Sequence, residues 1–291
     1  MSGSLALATC AELPGLSDDD RLLLPALERR GWAAVPVRWD DRTGAWGRFD
    51  AVVVRSCWDY HLHLPEFLAW LVALERAGVR VFNPLPTMRW NVTKSYLREL
   101  AAAGVPVTPS VWVPMGSTRT LRDLAGEIGA DTLVVKPNVS ASGFETWRFD
   151  PAHAREGEAR FARMVRERDL LVQPFIPAIT TEGELSLVFL DGAYSHAVRK
   201  RPRPGEFRVQ EEHGGTAEPA EAGADLVRQA ARAAAVAPGR PLYARVDGLV
   251  TDGALLVTEL ELVEPKLYFA LDDGAADRMA AAIAGRLALP A

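Results

Sequence analysis

The sequence predicts a mixed fold, in which a doubly wound α/β unit with a parallel sheet comes first and α+β regions follow it. Two observations favour this class. Short apolar runs alternate with amphipathic helical segments over about residues 1–86, which is typical of a parallel sheet covered by helices. Further along, apolar strand segments come in pairs joined by short turns, at 184–199 and 242–269, which is typical of antiparallel hairpins.

Length, charge and cysteine content exclude several classes of protein. With 291 residues, the chain is too long for one small core and fits two or three domains. The net charge of -5 argues against nucleic acid as a partner, since phosphate binding requires a basic surface. No apolar run approaches the length of a membrane span, and residues 1–4 lack the features of a signal peptide. Two cysteines do not form a disulfide framework, so we expect a cytoplasmic protein that binds neither membranes nor nucleic acids.

Residues 1–86 contain the elements of the doubly wound unit. Residues 5–10 (LALATC) form an apolar run that predicts the first strand. Ser17 followed by three aspartates predicts a helix start, because serine caps the first turn and the acids complement the helix dipole. The remaining predicted elements of this unit are strands at 32–39 and 49–57, a helix at 64–77 and a strand at 79–82.

The candidate substrate-binding residues of this unit lie at the carboxyl ends of two strands, where ligands bind in open sheets of this kind. They are Cys10, Arg55, Ser56, Trp58, Asp59 and Tyr60. A local alternative is that Trp58 and Tyr60 cap the sheet while Arg55 pairs with a neighbour. We interpret Cys10 as a small buried residue rather than a catalytic thiol. The first strand is not followed by G-x-G-x-x-G, which disfavours a dinucleotide-dependent oxidoreductase.

The central part of the chain begins after a break at 83–86 (NPLP). An amphipathic helix is predicted at 87–103, and composition alone makes Lys94 a solvated residue on it. Residues 133–137 (LVVKP) predict a buried strand that carries Lys136 into a loop of small residues, a position that suits a phosphate ligand. A helix at 154–168 and a strand at 169–176 are predicted next.

A second region combines a hairpin with the one basic cluster of this acidic protein. The hairpin is predicted from 184–190 and 193–199, and it leads into Lys200–Arg203 and then Arg208. The interleaved aromatic residues and wide basic surface of a nucleic-acid site are lacking. These cations therefore fit a polyphosphate better than a nucleic acid.

The hairpin at 242–269 carries acids in an unusual arrangement. Side chains alternate along a strand, so Glu259 and Glu261 share one face, and symmetric pairing about the turn places Asp247 close to the level of Glu259. Three carboxylates on one face repel one another unless a cation lies among them, and Mg²⁺ prefers such oxygen ligands. A solvated outer strand is the alternative that these residues leave open.

Taken in order, these landmarks resemble the ATP-grasp superfamily. They are Lys94, LVVKP with Lys136, the loop at 140–143, QPFI at 173–176, the hairpin that begins at Glu184, the arginine of FRVQ, and the acids Asp247, Glu259 and Glu261. The resemblance covers about residues 87–269, and residues 1–86 resemble the α/β domain that precedes this region. It implies an ATP-grasp fold with three domains, at 1–86, 87–180 and 181–291, and ATP and Mg²⁺ in a cleft between the second and the third.

The resemblance also implies a role for each matching residue. Those implied to bind ATP are Lys94, Lys136, Ser140, Ser142, Gly143, Gln173, Pro174, Phe175 and Ile176, with Glu182 or Glu184 at the ribose. Those implied to offset charge during phosphoryl transfer are Lys200, Arg208 and Arg245. Those implied to hold two Mg²⁺ ions are Asp247, Glu259 and Glu261, and many relatives have asparagine at the last of these positions.

The chemistry that this resemblance implies is C–N ligation. The γ-phosphoryl group moves to a carboxylate of a small-molecule substrate, and an amine attacks the resulting acylphosphate. The segments RSCWDY, RWN-x-x-K and ELELVEP-x-L-Y-F look like a small-molecule branch, the D-cycloserine synthetases, which close O-ureido-D-serine into a ring. An intermolecular amino-acid or peptide ligase and a nucleotide-binding module without ligase activity stay open as alternatives, and so does assembly into a homo-oligomer.

Overall fold

The computed structural model describes residues 3–41, 43 and 45–288. Three sheets follow one another along these ranges. The first is parallel and lies within residues 3–82, and the other two are antiparallel and lie within 111–174 and 184–261. The predicted class, a doubly wound α/β unit followed by α+β regions, is confirmed.

The first sheet has the strand order β2-β1-β3-β4, with every neighbouring pair parallel. Its strands are β1 (Gly3–Thr9), β2 (Trp32–Arg38), β3 (Ala51–Ser56) and β4 (Val81–Phe82). Its helices are α1 (Asp18–Arg21), α2 (Leu23–Glu28) and α3 (Leu64–Arg76). Ser17 caps α1 as predicted, because its side chain accepts a hydrogen bond from the backbone N–H of Asp20.

The predicted helix at 87–103 is interrupted. It forms two helices, α4 (Leu85–Asn91) and α5 (Tyr96–Ala102), and Lys94 lies between them. The backbone N–H of Lys94 donates to the carbonyl oxygen of Asn138 at 2.9 Å, so this bond to a distant loop replaces a helical one. Lys94 is consequently buried, with 8% of its surface exposed, whereas composition alone predicts a solvated lysine.

The central sheet is antiparallel in the order β5-β8-β6-β7. Its strands are β5 (Val111–Val113), β6 (Leu133–Pro137), β7 (Trp147–Phe149) and β8 (Leu170–Pro174). Its helices are α6 (Leu121–Ile128) and α7 (Ala154–Met164), and the short helix α8 (Ala178–Thr181) leads out of it. This sheet and its two helices have their own apolar core, which includes Val135, Phe161 and Val172.

The large sheet is antiparallel in the order β11-β10-β9-β12-β13. Its strands are β9 (Glu184–Leu190), β10 (Ala193–Arg201), β11 (Thr216–Ala220), β12 (Tyr243–Thr251) and β13 (Ala254–Glu261). Its helices are α9 (Ala224–Ala235), which packs on β12 and β13, and α10 (Ala275–Leu287), which packs on α2. None of the helices in the described ranges combines the length and apolar character that crossing a membrane requires.

A β-bulge sets the register of the hairpin formed by β12 and β13. Its two-residue turn at Asp252 and Gly253 has positive φ at both positions, as tight hairpin turns require. The register shifts by one residue between Asp247 and Gly248, and this shift places Asp247 directly opposite Glu259. A Cβ on Gly248 would lie 2.8 Å from the carbonyl oxygen of Leu256, so the bulge requires glycine.

The first sheet and the large sheet are joined by a shared core and by buried hydrogen bonds. Residues 267–283 pack in one apolar cluster with the core of the first sheet. The Tyr243 hydroxyl lies 2.8 Å from the carbonyl oxygen of Val54, and Asn83 Nδ2 donates to the carbonyl oxygens of Tyr243 and Leu262. The boundaries expected after 86 and 180 fall between sheets, and the three-domain division stays a prediction.

Candidate active site

A single cavity lies where the central sheet, the large sheet and the end of the first unit meet. Its walls come from the central sheet, the large sheet, and the segment that follows β3. The sequence-predicted residues that line it are Trp58, Tyr60, Lys94, Lys136, Ser140, Ser142, Gly143, Gln173, Pro174, Phe175, Ile176, Glu184, Lys200, Arg208, Arg245, Glu259 and Glu261. Residues more than 200 positions apart in the chain therefore form one site.

Two buried lysines converge on one hairpin carboxylate. Lys94 Nζ lies 3.0 Å from Glu259 Oε1, and Lys136 Nζ lies 3.1 Å from the same oxygen. Burial alone would raise the pKa of the Glu259 carboxyl, but Lys136 and Lys94 hold it well below its usual range. Burial lowers the pKa of Lys136 although Glu259 opposes that effect. The two lysines are thus paired with the Glu259 carboxylate, which an anionic ligand could replace.

Asp247 anchors two further cations beneath the cavity. Its Oδ1 accepts hydrogen bonds from Ser186 Oγ at 2.6 Å and Arg245 Nε at 2.9 Å, and its Oδ2 accepts from Lys200 Nζ and Arg245 Nη2. Glu184 also pairs with Lys200, at 2.5 Å. Burial acts to raise the pKa of Asp247, but Arg245 and Lys200 bring it below its usual value. The two cations therefore have fixed positions.

The pKa of Glu261 is shifted in the opposite direction from the pKa values of Asp247 and Glu259. Arg245 Nη2 lies 2.6 Å from its Oε1, across the pair of strands. Burial nevertheless raises the pKa of Glu261 to about 7, with the nearby charges of Asp247 and Glu259 acting in the same direction. A cation bound next to this carboxylate would offset the free-energy cost of its ionisation.

The hairpin acids fit a divalent cation in their donor chemistry. One carboxylate oxygen from each of Asp247, Glu259 and Glu261 lies within 4.8 Å of the others, and carboxylate oxygens suit hard cations. Glu259 and Glu261 line the cavity, whereas Asp247 lies behind them with both oxygens already accepting hydrogen bonds. An ion bound to Asp247 would take the place of Lys200 or Arg245 on one of those oxygens.

The end of β8 offers a place for a flat ring. Gln173 Nε2 donates to Ser110 Oγ at 2.8 Å, and the backbone then leaves the sheet at Pro174. The Phe175 ring meets Phe207 edge to face, with the ring centroids 6.1 Å apart. Val134 and Leu249 add apolar surface to this part of the cavity. Backbone groups and apolar side chains thus lie together, which suits a nucleobase.

Two loops meet over the cavity. His213 Nε2 lies 3.2 Å from the carbonyl oxygen of Ser142, and Ser142 Oγ donates to Glu212. Gly143 has a φ of +67°, and a Cβ there would lie 3.1 Å from Gln210 Oε1. Arg208 pairs with Glu206 at 2.7 Å, and this hydrogen bonding lowers the pKa of Glu206 to about 2. The small residues of the loop at 140–143 thus permit close contact with the loop at 206–213.

Comparison with known proteins agrees with this geometry. Residues 5–83 match the family model for the N-terminal domain of D-cycloserine synthetase DcsG. The sequence is 36% identical to the cycloserine biosynthesis protein DcsG of Streptomyces lavendulae, over 98% of this chain and 99% of that protein. The chain belongs to the D-cycloserine synthetase family of ATP-grasp ligases. The resemblance inferred from the sequence is confirmed.

Solved structures place this family member among ATP-grasp ligases. The crystal structure of D-cycloserine synthetase DcsG superposes with a TM-score of 0.88 at 33% identity, over 98% of this chain and 100% of that one. The D-alanine–D-alanine ligase of Bacillus anthracis shares the fold, with a TM-score of 0.72 at 16% identity over 99% and 98% of the two chains. A glutathione synthetase of Parasynechococcus marenigrum (strain WH8102) is 32% identical over 71% of this chain and 60% of its own length.

Several of the site residues that the sequence predicts do not line the cavity. Besides Asp247, which lies behind the cavity wall, they are Cys10, Arg55, Ser56, Asp59 and Glu182. Arg55 is fully buried because its guanidinium pairs with Asp20 at 2.9 Å, and Ser56 donates to the same carboxylate. These bonds hold Arg55 and Ser56 away from the cavity, and the local-pairing alternative describes Arg55.

The other three residues outside the cavity also have structural surroundings. Asp59 accepts a hydrogen bond from Trp39 Nε1 at 2.8 Å. Cys10 is 2% exposed, and burial raises the pKa of its thiol, as suits a packed rather than a catalytic cysteine. The Glu182 side chain is exposed, and its carbonyl oxygen accepts from Arg199 and Arg201. Of the two ribose candidates, only Glu184 reaches the cavity.

The cavity also contains residues that the sequence-based site omits. The most distinctive are Glu264, Lys266 and Tyr268, which follow β13. They lie beyond the alternating pattern of the strand, so periodicity does not predict which way they face. The available signal is their position in ELELVEP-x-L-Y-F, one of the segments that carries the family resemblance.

Proposed function

We propose that this chain is an ATP- and Mg²⁺-dependent cyclo-ligase. It activates the carboxylate of a small amino acid as an acylphosphate, and a nitrogen of the same molecule then closes the ring. The best candidate substrate is O-ureido-D-serine. Attack of its oxygen-bound nitrogen on the acylphosphate releases phosphate and closes the ring, and hydrolytic loss of the carbamoyl group from that nitrogen, as CO₂ and ammonia, leaves D-cycloserine as product. The observation that carries the proposal is the set of four buried cations, Lys94, Lys136, Lys200 and Arg245, paired with acids on the wall of one cavity.

The lysines around Glu259 would bind the triphosphate by exchanging partners. In the structure, Lys94 and Lys136 share one oxygen of Glu259. Phosphate oxygens offer both ammonium groups charge-assisted hydrogen bonds in place of those to Glu259. Glu259 and Glu261 would then hold Mg²⁺, whose charge offsets the negative charge of the transferring phosphoryl group. The charges of the lysines and of the acids thus remain balanced when ATP and the metal bind together.

Arg245 and Lys200 would stabilise the charge that develops at the transferred phosphoryl group. Asp247 holds both cations in place before any ligand binds. Donors fixed in this way need no reorganisation during reaction, which is the basis of electrostatic stabilisation in enzymes. Arg208, on the loop that covers the cavity, adds a further cation near the phosphates.

Ligation through an acylphosphate also requires that water be excluded. The loops at 140–143 and 206–213 meet above the cavity, through Ser142, Glu212 and His213. Closure of such loops shields a reactive acylphosphate from hydrolysis. No protein nucleophile is needed, because the substrate supplies both the carboxylate and the attacking nitrogen.

The experiment that tests the function is an ADP-release screen with product analysis. Purified protein is incubated with ATP, Mg²⁺ and O-ureido-D-serine, and the products are identified by mass spectrometry and NMR. We expect one ADP for each ring closed, with no second amine added. ADP release only after addition of a second amino acid would instead support an intermolecular ligase, and no release with any carboxylate would contradict ligase activity.

A further inference from the structure

Glu264 is an acid without a partner in the cavity wall. It lies just after β13, is partly buried, and lines the cavity. Of the other cavity acids, Glu184, Glu211, Glu259 and Glu261 each pair with a lysine or arginine, and the exposed Glu212 accepts a hydrogen bond from Ser142. Within the described part of the chain, the Glu264 carboxylate takes part in no hydrogen bond or ion pair. Glu264 is therefore the lining acid of the described residues that has no polar partner.

The backbone that carries Glu264 is held more firmly than a loop usually is. Four consecutive carbonyl oxygens, from residues 264–267, each accept a hydrogen bond from a side chain. In order, the donors are Trp58 at 3.2 Å, Arg55 at 2.6 Å, Arg245 at 2.8 Å and His196 at 2.9 Å. These donors come from β3, from the segment that follows it, and from two strands of the large sheet. The backbone at Glu264 is thus held in place before any ligand arrives.

The surroundings of Glu264 suit an ammonium group better than a metal ion. Glu264 belongs to neither group of three potential metal ligands within 4.8 Å that the described residues form. Mg²⁺ requires several oxygens in near-octahedral geometry. Trp58 and Tyr60 line the same cavity, and aromatic rings with a single carboxylate are typical of sites for organic cations.

The charge of Glu264 is costly without a ligand. Burial, followed by the charge of Glu261, raises the pKa of the Glu264 carboxyl well above its usual range. Trp58, two residues after β3, donates its indole N–H to the Glu264 carbonyl oxygen, so Glu264 lies toward the carboxyl end of β3. This end is where ligands bind in open parallel sheets. A cationic ligand there would restore charge balance.

We propose that Glu264 binds the protonated α-amine of the amino-acid substrate. The inference rests on the proposed function and adds the residue that selects an amino acid over a simple carboxylic acid. Pairing with Glu264 keeps the amine charged, so it cannot attack an acylphosphate and only the ring-closing nitrogen is nucleophilic. An amine bound at Glu264 would also leave the substrate's own carboxylate free to reach Lys200 and Arg245, which line the same cavity.

The test compares two substrates in Glu264→Gln. O-ureido-D-serine is paired with its des-amino analogue, 3-(ureidooxy)propanoic acid, and kcat and KM are measured for each by ADP release. Wild type should prefer the amino acid by about 10- to 100-fold in kcat/KM, chiefly through KM, as expected for a hydrogen bond between charged groups. In E264Q the preference should fall to about threefold or less, with the KM for ATP unchanged. Glu221→Gln makes the same chemical change at an exposed residue outside the cavity and should keep the preference.

Each other outcome identifies a different error. If E264Q keeps the preference for the amino acid, Glu264 is not the ammonium site. If E264Q raises the Mg²⁺ concentration for half-maximal rate and leaves the preference intact, Glu264 is a metal ligand and the inference fails. If wild type releases no ADP with O-ureido-D-serine, the proposed function fails and the inference falls with it. If E264Q loses activity toward both substrates, thermal unfolding and ATP binding show whether the fold is intact, and equal losses with an intact fold contradict a role in selecting the amine.

Discussion

Glu261 is the hairpin acid whose replacement gives the sharpest test of the site's electrostatics. Glu261→Gln keeps the shape of the side chain and removes its charge. The pKa of this carboxyl is about 7 in the folded protein against an ordinary 4.5, mainly because of burial. A raised pKa means that the folded state is most stable with the acid protonated, so stability is present below the unfolded pKa and is lost as pH rises through about 7. Ligand-free wild type should thus be less stable at pH 8 than at pH 5.5.

The size of the effect follows from the shift. At about 1.4 kcal/mol per pKa unit, the ionised Glu261 costs roughly 3 kcal/mol above pH 7, and about 2 kcal/mol of this cost develops between pH 5.5 and pH 8. Glu261→Gln should lack this component. We expect its free energy of unfolding to exceed that of wild type at pH 8 by more than at pH 5.5.

Urea denaturation at the two pH values, without ATP or Mg²⁺, measures this difference directly. Glu221→Gln is the matched control, because residue 221 is exposed and outside the cavity. Identical pH dependence in Glu261→Gln and wild type would refute the reasoning. Adding Mg²⁺ with ATP should reverse the order at pH 8, since the bound cation stabilises only the protein that keeps the carboxylate.

Two further substitutions test the cations. Glu259→Gln should tighten Mg²⁺-free ATP binding by about tenfold, because Lys94 and Lys136 lose the carboxylate that competes with phosphate. It should also abolish ADP formation, because a proposed Mg²⁺ ligand is lost. Weaker ATP binding by calorimetry would contradict this. Asp247→Asn should lower the free energy of unfolding by about 3 kcal/mol or more, because Lys200 and Arg245 stay buried with less compensating charge. Urea denaturation measures it, and unchanged stability would show that both cations find other partners.

The features that local pattern controls could be predicted from the sequence. Glu259 and Glu261 share a face because alternation along a strand is local, and Leu260 and Leu262 are buried on the other side. The direct pairing of Asp247 with Glu259 depends on a bulge, and no periodic pattern indicates one. The acids were thus predictable as a group, whereas their register needed Gly248 and the packing around it.

Features that depend on distant partners could not be predicted in the same way. Arg55 has the residue type and position of a ligand-binding residue, but Asp20 and the carbonyl oxygen of Pro265 hold it away from the cavity. Lys94 reaches the site only because its helix breaks to bond Asn138. The position of each side chain depends on a hydrogen bond to a residue far away in the sequence, and composition carries no information about such partners.

The shared core of the first sheet and the large sheet has a consequence for how the cavity can move. Tyr243 and Asn83 join these two sheets by hydrogen bonds, and residues 267–283 pack in one apolar cluster with the core of the first sheet. The central sheet has a core of its own, although Leu171 and Trp112 also contact the core of the large sheet. We therefore expect opening of the cavity to be a displacement of the central sheet and the covering loops. The nucleotide end would widen and narrow, while the end around Trp58 and Glu264 would keep one shape and act as a rigid template for the ring that forms against it.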